Sequence, residues 1–148
     1  MKKITVLLLT IAMLLSCAGC AKIEPVTVET FRTTMEGAGF EVTDCSNEVD
    51  SESVDAIFTA EKDGYYIDLW CFKDEATAQS FYNSLKEDME DMGGNYTNIS
   101  AQEFSKYEAT TATAYAFAAW AGTTVLNAEC PKADKEVVRS AIELLGYI

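Results

Sequence analysis

Two hydrophobic periods alternate along this chain, and the switches between them predict its elements. Val28, Phe31, Met35 and Ala38 recur at helical spacing behind Thr27, a good N-cap, and Gly37 and Gly39 close that helix. Residues 40–44 then alternate as a short strand, and the polar stretch 45–53 reads as a loop. A second helix is expected from Asp74 to Met92, with Ala78, Phe81, Leu85, Met89 and Met92 inward and Gly93-Gly94 as its stop. Residues 96–107 hold at least one strand. The alanine-rich run 108–121 favours helix by composition, yet its threonines and aromatics alternate with alanine, so it reads as strand. Gly122 allows a turn, 123–130 reads as another strand, and Pro131 ends it. A last helix over 133–145 buries Val138, Ala141, Ile142 and Leu145, with Gly146 at its end.

The strongest local signal is a hairpin. Asp63-Gly64 separates two β-prone runs, 54–62 and 65–72. A two-residue turn there sets Lys62 opposite Tyr65, so Phe58 meets Leu69, Ala60 meets Ile67 and Ala56 meets Cys71, all apolar and on one side. The other side pairs Glu61 with Tyr66, Thr59 with Asp68, Ile57 with Trp70 and Asp55 with Phe72. Strands joined by short turns imply an antiparallel sheet. The expected fold is therefore α+β, with about three amphipathic helices on one face of an antiparallel β-sheet, in two layers.

Residues 1–20 carry a different pattern. Lys2 and Lys3 precede an apolar run from Ile4 to Leu15, too short for the roughly 20 residues that span a bilayer. Leu14-Leu15-Ser16-Cys17 then resembles the lipobox of bacterial lipoproteins, and Ala18-Gly19-Cys20 offers an alternative. The resemblance implies a diacylglyceryl cysteine at Cys17, or at Cys20, as the membrane anchor. The expected organisation is a signal peptide over 1–16, the lipidated cysteine and a short tether over 17–26, and one globular domain over 27–148. The location implied is the outer face of the bacterial cytoplasmic membrane. Cys17-Ala18-Gly19-Cys20 is also formally a C-x-x-C motif, but at the end of a signal peptide it is not a redox site.

Charge narrows the partners. The chain holds 11 basic and 24 acidic residues, a net charge of −13. Loss of Lys2 and Lys3 with the signal peptide leaves 9 basic minus 24 acidic, or −15. Nucleic acid is excluded as a partner by repulsion, and basic proteins or cations are favoured. Histidine is absent, which removes Ser-His-Asp and Cys-His catalysis and imidazole metal ligands. No cofactor or metal motif is present. Cys45, Cys71 and Cys130 fall in the domain, an odd number that does not form a closed disulfide set, with Cys20 a fourth where Cys17 is the lipid site; Cys71 and Cys130 lie on inward faces as small hydrophobes, and a structural disulfide involving Cys45 is the alternative.

Two surfaces stand out. Tyr66, Trp70 and Phe72, with Ile57 beside Trp70, line the outer side of the hairpin as an aromatic stripe; either a ligand or a covering element occupies such a stripe. Glu87, Asp88, Glu90 and Asp91 crowd the end of the second helix, against its dipole, as a candidate patch for a cation or basic partner. They lack the spacing of a calcium loop. Asn95-Tyr96-Thr97 and Asn98-Ile99-Ser100 match glycosylation acceptors but read as turn and strand here.

Residues 54–147 resemble a group of small, uncharacterised lipoproteins of Gram-positive anaerobes. The cues are Tyr65-Tyr66-Ile67-Asp68-Leu69, the run Asp74 to Phe81, and the closing Glu143-Leu144-Leu145-Gly146-Tyr147. The resemblance implies the fold and supplies no catalytic residue. The expected function is a non-enzymatic, lipid-anchored binding module using the aromatic sheet face. An acidic inhibitor-like protein that sequesters a basic partner is the alternative, and a carboxylate-dependent cell-wall hydrolase the third.

Overall fold

A computed structural model describes residues 23–49 and 52–148; the expected signal peptide and both candidate lipidation cysteines lie outside them. Helix α1 (Val28–Gly37) leads to β1 (Glu41–Asp44), a 3-10 turn at Ser46–Glu48, and the hairpin β2 (Val54–Lys62) and β3 (Tyr65–Phe72). Helix α2 (Glu75–Asp91) follows, then β4 (Asn95–Ser100), β5 (Phe104–Thr110), β6 (Ala114–Ala121) and β7 (Thr124–Pro131). A 3-10 turn at Lys132–Asp134 enters α3 (Lys135–Leu144). Residues 96–107, expected to hold at least one strand, hold most of two.

Local chemistry accounts for the element starts. Thr27 Oγ1 accepts from the Thr30 N–H at 3.2 Å, and Asp74 Oδ1 accepts from the Thr77 N–H at 2.8 Å, as N-caps do. Asp63 and Gly64 both take positive φ, 52° and 84°, which the tight hairpin turn requires. The hairpin register is as expected from Lys62–Tyr65 to Ala56–Cys71. It then slips: a bulge sets Val54 opposite Phe72, in place of the expected Asp55.

All seven strands form one antiparallel sheet in the order β1-β2-β3-β7-β6-β5-β4. The chain lays down three strands, crosses to the far edge through α2, and returns until β7 closes against β3. A helix of 17 residues is about 26 Å long, enough for the four strand spacings, about 19 Å, between β3 and β4. Among the described residues no helix is long and apolar enough to cross a membrane.

The expectation of all helices on one face, in two layers, does not hold. Tyr115, Phe117, Ala119 and Ala121 of β6 join one core cluster with Phe31 and Met35 of α1 and Val138, Ala141 and Ile142 of α3. Ala116, Ala118 and Trp120, the alternate residues of the same strand, join a second cluster with Ala78, Tyr82 and Met89 of α2. The sheet therefore lies between two helical layers. The sign was present in β6 itself: a strand apolar on both faces must be covered on both. The packed unit also begins earlier than residue 27. Val26 is buried, its N–H faces the Tyr147 hydroxyl at 3.5 Å, and Ile23 packs against the first cluster.

Candidate functional site

Helix α2 runs obliquely over its face and leaves part of it bare. Its first half covers the aromatic end of the hairpin: Phe81 lies 4.7 Å from Trp70 and 5.2 Å from Phe72, ring centre to ring centre. Its second half carries Leu85, Met89 and Met92 over Ala116 and Ala118 of β6. The buried stripe is centred one position away from that expected. Tyr82 is 2% exposed, whereas Phe81 and Leu85 are half-buried and Met92 is 37% exposed.

The aromatic stripe is thus mostly interior. Ile57 and Phe72 are 4% and 5% exposed, Trp70 is half-buried, and Tyr66 alone stays open at 47%. Phe81 of α2 covers Trp70 and Phe72, whereas Ile57 lies beside the 3-10 turn, where its N–H donates to Ser46 Oγ at 3.1 Å. The acidic patch divides as well. Glu90 pairs with Lys86 at 3.5 Å, on the side of Tyr107, whereas Asp88 lines a cavity on the side of β7. Glu87 and Asp91 are simply exposed.

What α2 leaves bare is a polar row across the middle of the sheet. Thr59, Asp68 and Asn127 stand opposite one another on β2, β3 and β7. Thr59 Oγ1 donates to Asp68 Oδ1 at 2.8 Å, and Asn127 Nδ2 to Asp68 Oδ2 at 3.5 Å. The Cys45 thiol lies 3.8 Å from Thr59 Oγ1. Burial raises the Asp68 pKa, and the two hydrogen bonds only partly offset it. Burying a carboxylate on a central strand is costly unless it is paired and hydrogen-bonded, and the hydrogen-bond partners of Asp68, Thr59 and Asn127, include no base.

Two cavities flank the pair. One, about 240 Å³, lies between the 3-10 turn and the sheet, lined by Cys45, Glu48, Val49, Thr59, Asp68 and Trp70 together with Ile57. The other, about 160 Å³, lies under the end of α2, where Leu85, Asp88, Met89 and Met92 face Asn127 and Glu129. Among the described residues no lysine or arginine lines either cavity. The Trp70 indole N–H and Asn127 Oδ1 are buried beside them without a hydrogen-bond partner. The arrangement is a negative, partly apolar trough suited to a positively charged group rather than to an anion. The sequence reading missed Asp68 and Asn127. The available signal was a polar pair in mid-strand, Asp68 between Ile67 and Leu69 and Asn127 between Leu126 and Ala128.

Among the described residues no group of three or more Cys, Asp or Glu converges as metal ligands do. Cys45, Cys71 and Cys130 are free. Burial raises the Cys71 thiol pKa and pushes that of Cys130 up to about 11, against formation of a thiolate.

No family model matches the chain, and no curated protein does. Among solved structures, the crystal structure of a GTP-binding regulator from Thermotoga maritima is similar in outline, at 13% identity and a TM-score of 0.49, over 81% of this chain and 87% of that one. At that distance neither ligand nor activity carries across.

Proposed function

We propose that this chain is a lipid-anchored, extracytoplasmic binding module without a catalytic role. It is held by a diacylglyceryl group at Cys17, or Cys20, on the outer face of a bacterial cytoplasmic membrane. It takes a partner that presents lysine or arginine side chains in the trough beside α2. One observation carries the reading of the site: Asp68 is sunk in the sheet between two cavities, Glu48, Asp88 and Glu129 line those cavities, and no base lies among their lining residues. The two surfaces that the sequence set apart, aromatic and acidic, meet at this place. Trp70 supplies an apolar wall and Asp88 a charge. Two acyl chains suffice for stable anchoring.

The test uses the full-length protein in membranes and a fluorescent hexalysine peptide as probe. Binding is expected, weakening several-fold between low and high salt. Asp68→Asn is expected to weaken it further, whereas Glu87→Gln is expected to leave it almost unchanged. Equal binding by the Asp68→Asn protein overturns the trough as the site. Failure of labelled palmitate to enter the protein overturns the anchor independently of the binding result.

A further inference from the structure

We propose that two copies of this chain pair edge to edge through β4, forming one continuous sheet. The inference is independent of the trough and of the anchor. Strand β4 is the outermost strand, and all six of its residues are exposed. The Ala101 N–H donates to the Phe104 carbonyl at 2.8 Å. In an antiparallel pair such bonds alternate, so residues 99, 97 and 95 also turn their backbone groups toward β5. The N–H and C=O groups of Tyr96, Asn98 and Ser100 therefore point outward, where no described strand meets them.

Open edges are normally blunted by charge, proline, a bulge or shortness. The opposite edge, β1, is four residues long and begins and ends on a carboxylate, Glu41 and Asp44. Strand β4 has none of these protections. From Met92 to Gln102 the chain contains no Asp, Glu, Lys, Arg or Pro. Among the described residues, three of the six exposed large apolar ones, Met92, Tyr96 and Ile99, fall in this run. Its position is fixed as well. A Cβ on Gly94 would lie 2.4 Å from the Thr110 carbonyl oxygen, so glycine there lets β4 start tight against β5.

The occupant follows from charge and register. At −13, two copies repel one another over most of their surfaces, and an uncharged edge is where they can meet. A basic partner finds no carboxylate on this strand. Two antiparallel copies related by a two-fold axis normal to the sheet keep each face on its own side. Only registers with matching parity are then allowed, and the outward backbone groups select the one centred on Asn98. Asn98 faces its own copy, Tyr96 faces Ser100, and Thr97 faces Ile99. Every outward N–H and C=O finds a partner, and no like charges meet.

The register makes the test specific. Directly opposed, hydrogen-bonded residues stand with Cα atoms about 5.5 Å apart, within disulfide reach. Asn98→Cys in the full-length chain, mildly oxidised in membranes, is expected to give a covalent dimer on a non-reducing gel. Tyr96→Cys alone is not expected to, because its copy lies four residues along the strand. Tyr96→Cys combined with Ser100→Cys is expected to restore the dimer. Asn98→Lys, which sets two like charges face to face, is expected to lower the dimer yield from a lysine-reactive cross-linker of the otherwise native chain at least tenfold. A native chain that gives no cross-linked dimer, or an Asn98→Cys chain that dimerises no more than the Tyr96→Cys chain, overturns the proposal.

Discussion

The two faces of the sheet are built to different standards. On the face under α1 and α3, the buried polar groups are engaged. The Tyr115 hydroxyl donates to Glu108 Oε2 at 3.2 Å, Arg139 Nε reaches the same oxygen at 3.4 Å, and the Lys135 ammonium bonds Thr110 Oγ1 at 3.2 Å. Tyr147 receives the Val26 N–H. On the face under α2, the Trp70 indole N–H, the Tyr82 hydroxyl and Asn127 Oδ1 are all buried without a partner, and Asp68 is half-sunk in the sheet. Burial pushes the Tyr82 pKa up to about 12. Each unmet group costs roughly 1–3 kcal/mol. The contrast teaches that one face is closed for stability, whereas the other keeps polar groups at a place where stability alone would call for leucine or valine.

The largest effect expected lies on the closed face. Phe31→Ala, at a fully buried position, should cost about 3–5 kcal/mol in urea unfolding. Trp70→Ala, half-buried at the edge of the trough, should cost less; equal costs would erase the distinction between the faces. Next comes Glu108→Ala, which takes the acceptor from the buried Tyr115 hydroxyl. A loss of about 1–3 kcal/mol is expected, and Tyr115→Phe in the same background should recover part of it.

A smaller effect belongs to the helix over the open face. Asp74→Ala removes the α2 N-cap and should lower the urea midpoint by less than Glu108→Ala does. The Thr77 hydrogen bonds lower the Asp74 pKa below its ordinary 3.8. Its contribution is therefore present above that value and fades as pH falls through the lower folded-state value. The smallest effect carries the opposite sign. Burial raises the Asp68 pKa above 3.8, so the folded chain holds that proton more tightly than the unfolded chain. The Asp68 penalty is absent below 3.8 and grows as pH rises through the folded-state value. Asp68→Asn should accordingly leave Tm unchanged in acid and raise it slightly near neutrality, while weakening hexalysine binding. A drop in Tm at neutral pH would make Asp68 a structural residue.

Much of the architecture was legible in short stretches of chain. Asp63-Gly64 set the hairpin and its register over seven consecutive pairs, because turn chemistry and a period-two pattern acted within a few residues of each other. Thr27 and Asp74 marked their helices for the same reason. The bulge at Val54 escaped notice because one unpaired residue leaves no compositional trace. The candidate site was legible only in outline. Tyr66, Trp70 and Asp88 were among the residues named, but whether Trp70 faced water depended on a helix that begins on the far side of Phe72.

The sequence by itself determined the type and order of most elements, the antiparallel hairpin, the strongly acidic surface and the absence of imidazole chemistry, but not the turn that splits the expected strand 108–121 between β5, ending at Thr110, and β6, starting at Ala114. Each feature it determined is written in neighbouring residues or in composition. Only the tertiary structure decided that β7 closes against β3, that α2 crosses to the far edge on its own face, and that Asp68 and Asn127 meet beside a trough. Asp68 and Asn127 stand 59 residues apart. Their pairing, and the bare strip that α2 leaves around them, follow from strand order and helix length acting across the whole sheet, which no local pattern encodes.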